Sequence, residues 1–323
     1  MNYLNILILL LILVLIYKIF YPLHESYSNI SNSEFKIVMF LTSGLCEEAE
    51  NCITTLRKLN LCDKLIVYTL DEKAYYCMSK LGVNVVNKKT NLKPEADFGT
   101  KDFYEIMYSK LEIIDECLQK YKCTILYTDT DIVFLKDISS DIIKFNRSNY
   151  DIIFQNDTGG FNDKDKHMMC AGFFAVKYNN KGLNCLKYAK KLMKDNWDNR
   201  KWDNGGGADQ KAMNLAISKK KLKVSTFDLM DYANGSRYFK HHNKFKNYTP
   251  KMIHNNYIVG TKNKVERFKK YNLWFVNNKI DVEINFNLKY FKNLKSQNKK
   301  PKINIITRTG SRQKCLKILI DFF

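Results

Sequence analysis

Four short apolar runs, separated by stretches with helical spacing, constrain this chain more than any other feature. Phe35–Thr42 (FKIVMFLT), Lys64–Leu70 (KLIVYTL), Val83–Val86 and Thr124–Thr128 show almost no polar alternation. Strands covered on both faces read this way, whereas a sheet with one wet face alternates. Between the runs, Glu47–Leu59 has helical spacing and Asp71 is a good N-cap for a second helix. Asp102–Tyr121 carries apolar residues at 103, 106, 107, 111, 113, 114, 117 and 118, the stripe of an amphipathic helix. Strands spaced by helices argue for a parallel, Rossmann-like sheet, and such sheets bind ligands beyond the carboxyl ends of their strands.

Downstream, Asp151–Gln155 and Met169–Lys177 are strand-like, and helices are predicted over about 181–197 and over Asp209–Ser218, the latter capped by Asp209. A short strand at Lys251–Asn256 precedes a basic helix over about 261–272. These elements make 35–280 one domain. Residues 281–301 are Lys/Asn-rich and linker-like. Residues 302–308, a small-residue loop and 313–322 predict strand–turn–helix, either the start of a truncated second domain or a tail packed on the first.

Leu4–Phe20 is nearly all aliphatic or aromatic, and about 17–20 apolar residues cross a bilayer core of about 30 Å. Residues 1–21 therefore read as an uncleaved signal anchor, and 22–34 as a polar stem. A cleaved signal peptide is the alternative, but a basic n-region and a small-x-small site are lacking. The expected product is a single-pass protein of a Golgi/ER-type or other host membrane. The weak Lys18 signal does not fix which side the domain faces.

The 323 residues carry a net charge of +20. Attraction to polyanions competes with a solvated lysine-rich surface. No arginine-rich block stands out, so nucleic acid is not an expected partner. Nine cysteines include no C-x-x-C pair, which excludes the usual zinc spacing. Cys46–Cys52 or Cys62–Cys77 could pair in an oxidising lumen. Sequons stand at Asn29, Asn146, Asn156, Asn234 and Asn247, and a glycan on Asn156 would obstruct a site at the strand ends.

The chemistry concentrates in Tyr127–Leu135 (YTDTDIVFL). A buried strand opens into two carboxylates one residue apart, and apolar sequence resumes at once. Acids at the edge of a core are costly unless hydrogen-bonded or metal-bound. On extended backbone Asp129 and Asp131 point to the same side, giving two hard oxygen ligands suited to Mg²⁺ or Mn²⁺. Solvated acids capping a loop are the bland alternative.

This stretch resembles the D-x-D motif of GT-A-fold glycosyltransferases, and the wider pattern resembles the nucleotide-diphospho-sugar transferase family that includes plant xylosyl- and arabinosyltransferases. The resemblance rests further on Lys110, on Ala171-Gly172-Phe173-Phe174, on Asp209-Gln210 with Asn214, and on His254-Asn255-Asn256 with Gly260, Lys262 or Lys264, and Trp274. It covers about 35–275. It implies a GT-A-like α/β fold with a mixed sheet flanked by helices, behind the N-terminal helix. It implies a metal-dependent transfer from a nucleotide-diphosphate sugar, UDP favoured, to a glycan or glycoprotein acceptor, with retention of configuration. Asp131 would be the main metal ligand and Asp129 would hold the ribose or the metal. His254 would complete the shell and favour Mn²⁺ over Mg²⁺. Lys262 or Lys264 would offset diphosphate charge, with Gly260 and Lys110 in the donor site, and Asp209 or Gln210 would face the sugar. Trp274 reads as a core anchor. Two other classes stay open: a metal-dependent nucleic-acid enzyme, and a non-catalytic membrane-tethered module of the same fold.

Overall fold

The computed structural model describes residues 35–90, 100–161, 168–198 and 208–276, and the backbone of 303–309 and 312–318. The expected anchor, the stem, the 281–301 linker and the glycine run at 205–207 lie outside them. Among the described residues no helix is long and apolar enough to cross a membrane. The chain divides into two units, Met1–Trp274 and Phe275–Phe323.

The first unit is built on a seven-stranded sheet. Its strands are β1 (Phe35–Leu41), β2 (Leu65–Thr69), β3 (Asn84–Asn87), β4 (Thr124–Thr128), β6 (Ile152–Asn156), β7 (Met169–Val176) and β8 (Val224–Thr226). They lie in the order β3-β2-β1-β4-β7-β6-β8. The first four are mutually parallel, as the unbroken apolar runs predict. β7 then runs antiparallel to both β4 and β6, which makes the sheet mixed. Helices α1 (Cys46–Lys58), α2 (Glu72–Ser79) and α3 (Lys101–Tyr121) occupy the predicted stretches, and Asp71 accepts from the Ala74 amide at 2.9 Å as the N-cap of α2. α4 (Ser139–Arg147), α5 (Asn180–Asp198), α6 (Ala208–Lys219) and α7 (Thr261–Lys270) complete the set. Two apolar clusters fill the two sides of the sheet. One gathers Val38, Tyr127 and Phe174 against α3, and the other gathers Met39, Leu126 and Phe173 against α1.

Strands β1 to β3 step one way from β1, and β4 returns on its other side. The connection reverses there, and ligand crevices form outside the carboxyl ends of strands at such a reversal. A small second sheet closes over this edge: β5 (Ile132–Phe134), β10 (Met252–His254) and β9 (Tyr232–Ala233), in the order β5-β10-β9.

Four expectations change. α6 starts at Ala208, so Asp209 lies within its first turn. Lys251–Asn256 shortens to β10. The basic helix ends at Lys270. The C-terminal segment is a hairpin, not strand–turn–helix: β11 (Ile303–Thr309) pairs antiparallel with β12 (Arg312–Ile318). β-Branched residues dominate β11, and the two residues between the strands are Gly-Ser, a hairpin pair in sequence.

Candidate functional site

The strand β4 fixes where the two acids stand. Its five residues are buried, and the ladder carries on one step further, because the Asp129 amide donates to the Gly172 carbonyl on β7 at 2.8 Å. The chain then turns into β5, and the Asn255 amide donates to the Asp131 carbonyl at 2.8 Å, tying this turn to the end of β10. The register His254 opposite Ile132 brings the imidazole back over the acids. One ligand atom from each of Asp129, Asp131 and His254 lies within 4.8 Å of the others.

Asp131 is nearly inaccessible. Its Oδ1 is 3.2 Å from His254 Nε2, and its Oδ2 is 2.9 Å from Lys264 Nζ on α7. Burial opposes its ionisation, but Lys264 and His254 outweigh burial and hold the carboxyl well below the usual range. His254 shows the converse: burial disfavours its charge, and Asp131 raises its pKa well above the ordinary value. Asp129 is a third exposed and accepts from the Tyr127 hydroxyl at 2.7 Å. Gly172 lies beneath both. A Cβ there would stand 2.5 Å from Asp129 Oδ2 and 2.6 Å from His254 Cε1.

A second charged group adjoins the first. Lys110, on α3, is buried rather than on a wet face. Its ammonium donates to Asp209 Oδ2 at 2.7 Å and to the Ala171 carbonyl at 3.0 Å, and lies 3.5 Å from Asp129 Oδ1. Burial works against this cation, yet Asp129 and Asp209 raise its pKa. The Gln210 carbonyl oxygen accepts from the Ala171 amide at 3.1 Å, and its nitrogen donates to Asp157 Oδ2 at 2.9 Å. Asn256 donates to Asp157 Oδ1 at 2.9 Å, so this carboxylate is held beside Gln210 by two amides. Asn214 is occupied elsewhere, pairing with both backbone groups of Met169.

Lys264, not Lys262, enters the site. Lys262 is exposed, and the α7 periodicity turns it away from Asp131. Gly260 sits at φ +88° just before α7, where only glycine is unstrained, and reaches the acids only through that helix. Trp274 is half-buried with Lys269 over its ring, so the anchoring falls to buried Leu273, whose carbonyl accepts from Asn51 at 3.0 Å. Asn156 and Asn234 are buried at 2% and 0% exposure, so neither sequon is open to a glycosylating enzyme in the folded domain. Cys46, Cys52, Cys62 and Cys77 are free thiols.

These carboxylates, lysines and the imidazole lie beyond the carboxyl end of β4, where ligand crevices form in such sheets. The sequence profile of the nucleotide-diphospho-sugar transferase family matches residues 60–268. The chain belongs to this family. Its relatives include a UDP-galactose:fucoside alpha-3-galactosyltransferase of Dictyostelium discoideum, 26% identical over 80% of this chain and 47% of that protein. The UDP-D-xylose:L-fucose alpha-1,3-D-xylosyltransferase MGP4 of Arabidopsis thaliana is 26% identical over 55% of this chain and 52% of its own length. The chain thus spans about half the length of these curated relatives. The glycosyltransferase GlyE of Streptococcus pneumoniae TIGR4 superposes with a TM-score of 0.47 at 13% identity, over 76% of this chain and 66% of that one.

In this transferase-family chain, several site neighbours were not singled out from sequence. Glu48, fully buried on α1, accepts from Thr130 Oγ1 at 3.3 Å, while its Oε1 has no hydrogen-bond partner among the described residues. Burial, with Lys264 opposing and Asp131 adding, pushes its pKa up to about 7. Its helical context looks like an ordinary acidic first turn, so sequence offers no signal. Arg237, also fully buried, donates to the Gly160 and Asn156 carbonyls and to Thr158 Oγ1, shaping the 156–160 loop that carries Asp157. The signal for that loop is the run Asn-Asp-Thr-Gly-Gly, which begins on the last residue of β6.

Proposed function

We propose that this domain is a metal-dependent glycosyltransferase that moves a sugar from a UDP-sugar to a glycan or glycoprotein acceptor. The observation that carries the reading is the meeting of Asp129, Asp131 and His254 from two strand ends, with Lys264 against the same carboxylate. Two oxygens and one imidazole nitrogen suit Mn²⁺, with Mg²⁺ second. The fit has a test in the fold itself: a side chain at position 172 would fill the space between Asp129 and His254. Asp131, His254 and Asp129 would hold the ion, which when bound neutralises charge developing on the diphosphate.

The chain's own groups do the rest. Lys264 has an aliphatic stem long enough to leave Asp131 for a phosphate, adding a second cation where the leaving group departs. Lys110 fixes Asp129 and Asp209 together, so that Asp209 and Gln210 face the donor sugar and Gln210 braces Asp157. A dry floor of Tyr127 and Gly172 keeps these charges poorly screened. Retention of configuration follows from the resemblance alone. UDP is the shared donor nucleotide, and fucose the shared acceptor, in the names of both relatives, which makes a fucose-terminated glycan the first acceptor to try. Leu4–Phe20 would tether the domain to a membrane.

The test is hydrolysis of UDP-galactose and UDP-xylose by the full chain with Mn²⁺. We expect metal-dependent release of UDP that disappears in Asp131→Asn. Release that ignores both the metal and the substitution refutes the reading.

A further inference from the structure

Gln155 is a fully buried amide in a strand of the apolar core. β6 pairs with β7 in steady register up to Phe154 opposite Phe174, then resumes with Asn156 opposite Met169. Gln155 is the single β6 residue at that irregularity, opposite the stretch Cys170–Phe173 of β7, so the extra residues belong to β7. A buried amide must satisfy both of its ends. The Gln155 nitrogen donates to the Tyr232 carbonyl on β9 at 3.0 Å, with the Met252 sulfur at 4.0 Å. Both partners only accept, so the nitrogen has to lie on that side and the oxygen on the other. The oxygen faces His254 Nδ1 at 2.8 Å.

An acceptor at Nδ1 requires a proton on Nδ1. With Nδ1–H held by Gln155, the proton that His254 gives up to become a ligand is the one on Nε2, the atom 3.2 Å from Asp131. The Cys170 sulfur, 3.6 Å from the same Nδ1, is too weak an acceptor to impose this alone.

We infer that Gln155 is the positioning residue of the cation site: it holds His254 as the Nδ1–H tautomer and so presents Nε2 as a ligand. The inference rests on the metal reading above.

The experiment measures Mn²⁺ affinity of the full chain without donor, by the electron paramagnetic resonance signal of free Mn²⁺, for wild type, Gln155→Met and Gln155→Glu. Methionine keeps the bulk and removes the acceptor. Glutamic acid can keep its proton toward the Tyr232 carbonyl and still accept from His254. Loss of an outer partner of a metal-bound histidine costs roughly 10–100-fold in affinity, so Gln155→Met should weaken binding by that factor and Gln155→Glu should stay within about threefold. In parallel, nitrogen NMR of ¹⁵N-histidine-labelled wild type saturated with Cd²⁺ should show His254 protonated at Nδ1. That spectrum decides the matter if Gln155→Met does not fold. A folded Gln155→Met that binds Mn²⁺ like wild type, or a wild-type His254 protonated at Nε2, overturns the inference and leaves the metal site standing. Wild type that binds no Mn²⁺ overturns both.

Discussion

Gly172→Ala adds one methyl group and probes the whole arrangement. Gly172 is not among the positive-φ glycines, so alanine suits its backbone and any effect is steric. The new Cβ would stand 2.5 Å from Asp129 Oδ2, 2.6 Å from His254 Cε1 and 3.1 Å from Asp129 Cγ. Non-bonded heavy atoms prefer about 3.5–4.0 Å, so one neighbour must retreat by about 1 Å. The strand is tied on the β4 side, where the Asp129 amide donates to the Gly172 carbonyl at 2.8 Å, while its register with β6 is irregular here. His254 is held by Gln155 and Asp131, which leaves Asp129 to move, and it is also the more exposed acid. Overpacking of this kind costs about 1–3 kcal/mol of stability. The larger consequence is a displaced ligand: we expect Mn²⁺ affinity to fall about tenfold or more, which is about 1.4 kcal/mol. Isothermal titration with Mn²⁺, beside a urea melt, separates the two effects. Gly159→Ala is the control, since among the described residues its Cβ meets only the Ser236 side chain, at 3.1 Å from the hydroxyl, and should leave metal affinity unchanged. If Gly172→Ala binds Mn²⁺ as tightly as wild type, the space between Asp129 and His254 is not the cation's and the reasoning fails.

Other perturbations test the surroundings. Lys110→Met strips the cation from buried Asp209 and should cost about 3–5 kcal/mol in a denaturant melt; adding Asp209→Asn should restore part of it, and purely additive losses would contradict the pairing. Glu48 titrates at about 7 when folded against an ordinary 4.5, so the unfolded chain gives up its proton first. Stability from this group is therefore greatest below pH about 4.5 and declines by about 3 kcal/mol as pH rises to about 7. Glu48→Gln should flatten that slope, and an unchanged slope would remove Glu48 as its source. Lys264→Ala should weaken UDP binding in the presence of Mn²⁺ by about tenfold, whereas Lys262→Ala should alter it by less than about twofold. Equal effects in a titration would show that the α7 face has been misassigned.

Periodicity exposed most of the sheet because a strand buried on both faces has no choice but to be apolar, as in Phe35–Leu41 and Leu65–Thr69. It did not reveal β5, β9 or the reversal at β7, because strands of two or three residues carry too little pattern and direction is a property of the connections. The acids at 129 and 131 stood out because they interrupt a core. His254 and Asp209 emerged through family likeness, since a lone histidine or a helix-start acid looks ordinary. Lys110 likewise entered through family likeness, and its pairing with two carboxylates is visible only in the fold. Glu48, Gln155 and Arg237 were silent because their significance lies in contacts with residues about 80 or more positions away. The C-terminal misreading came from weighing the Gln313–Phe322 apolar spacing above the Gly-Ser pair that separates two strands.

Whether Asp131 and His254 form a metal-dependent nucleotide site is measured most directly by calorimetric titration of UDP into the full chain with and without Mn²⁺. UDP should bind only with Mn²⁺ present, and Asp131→Asn and His254→Ala should each abolish that binding while the domain stays folded. Equal UDP binding in the absence of metal, or binding that survives Asp131→Asn, would contradict the account.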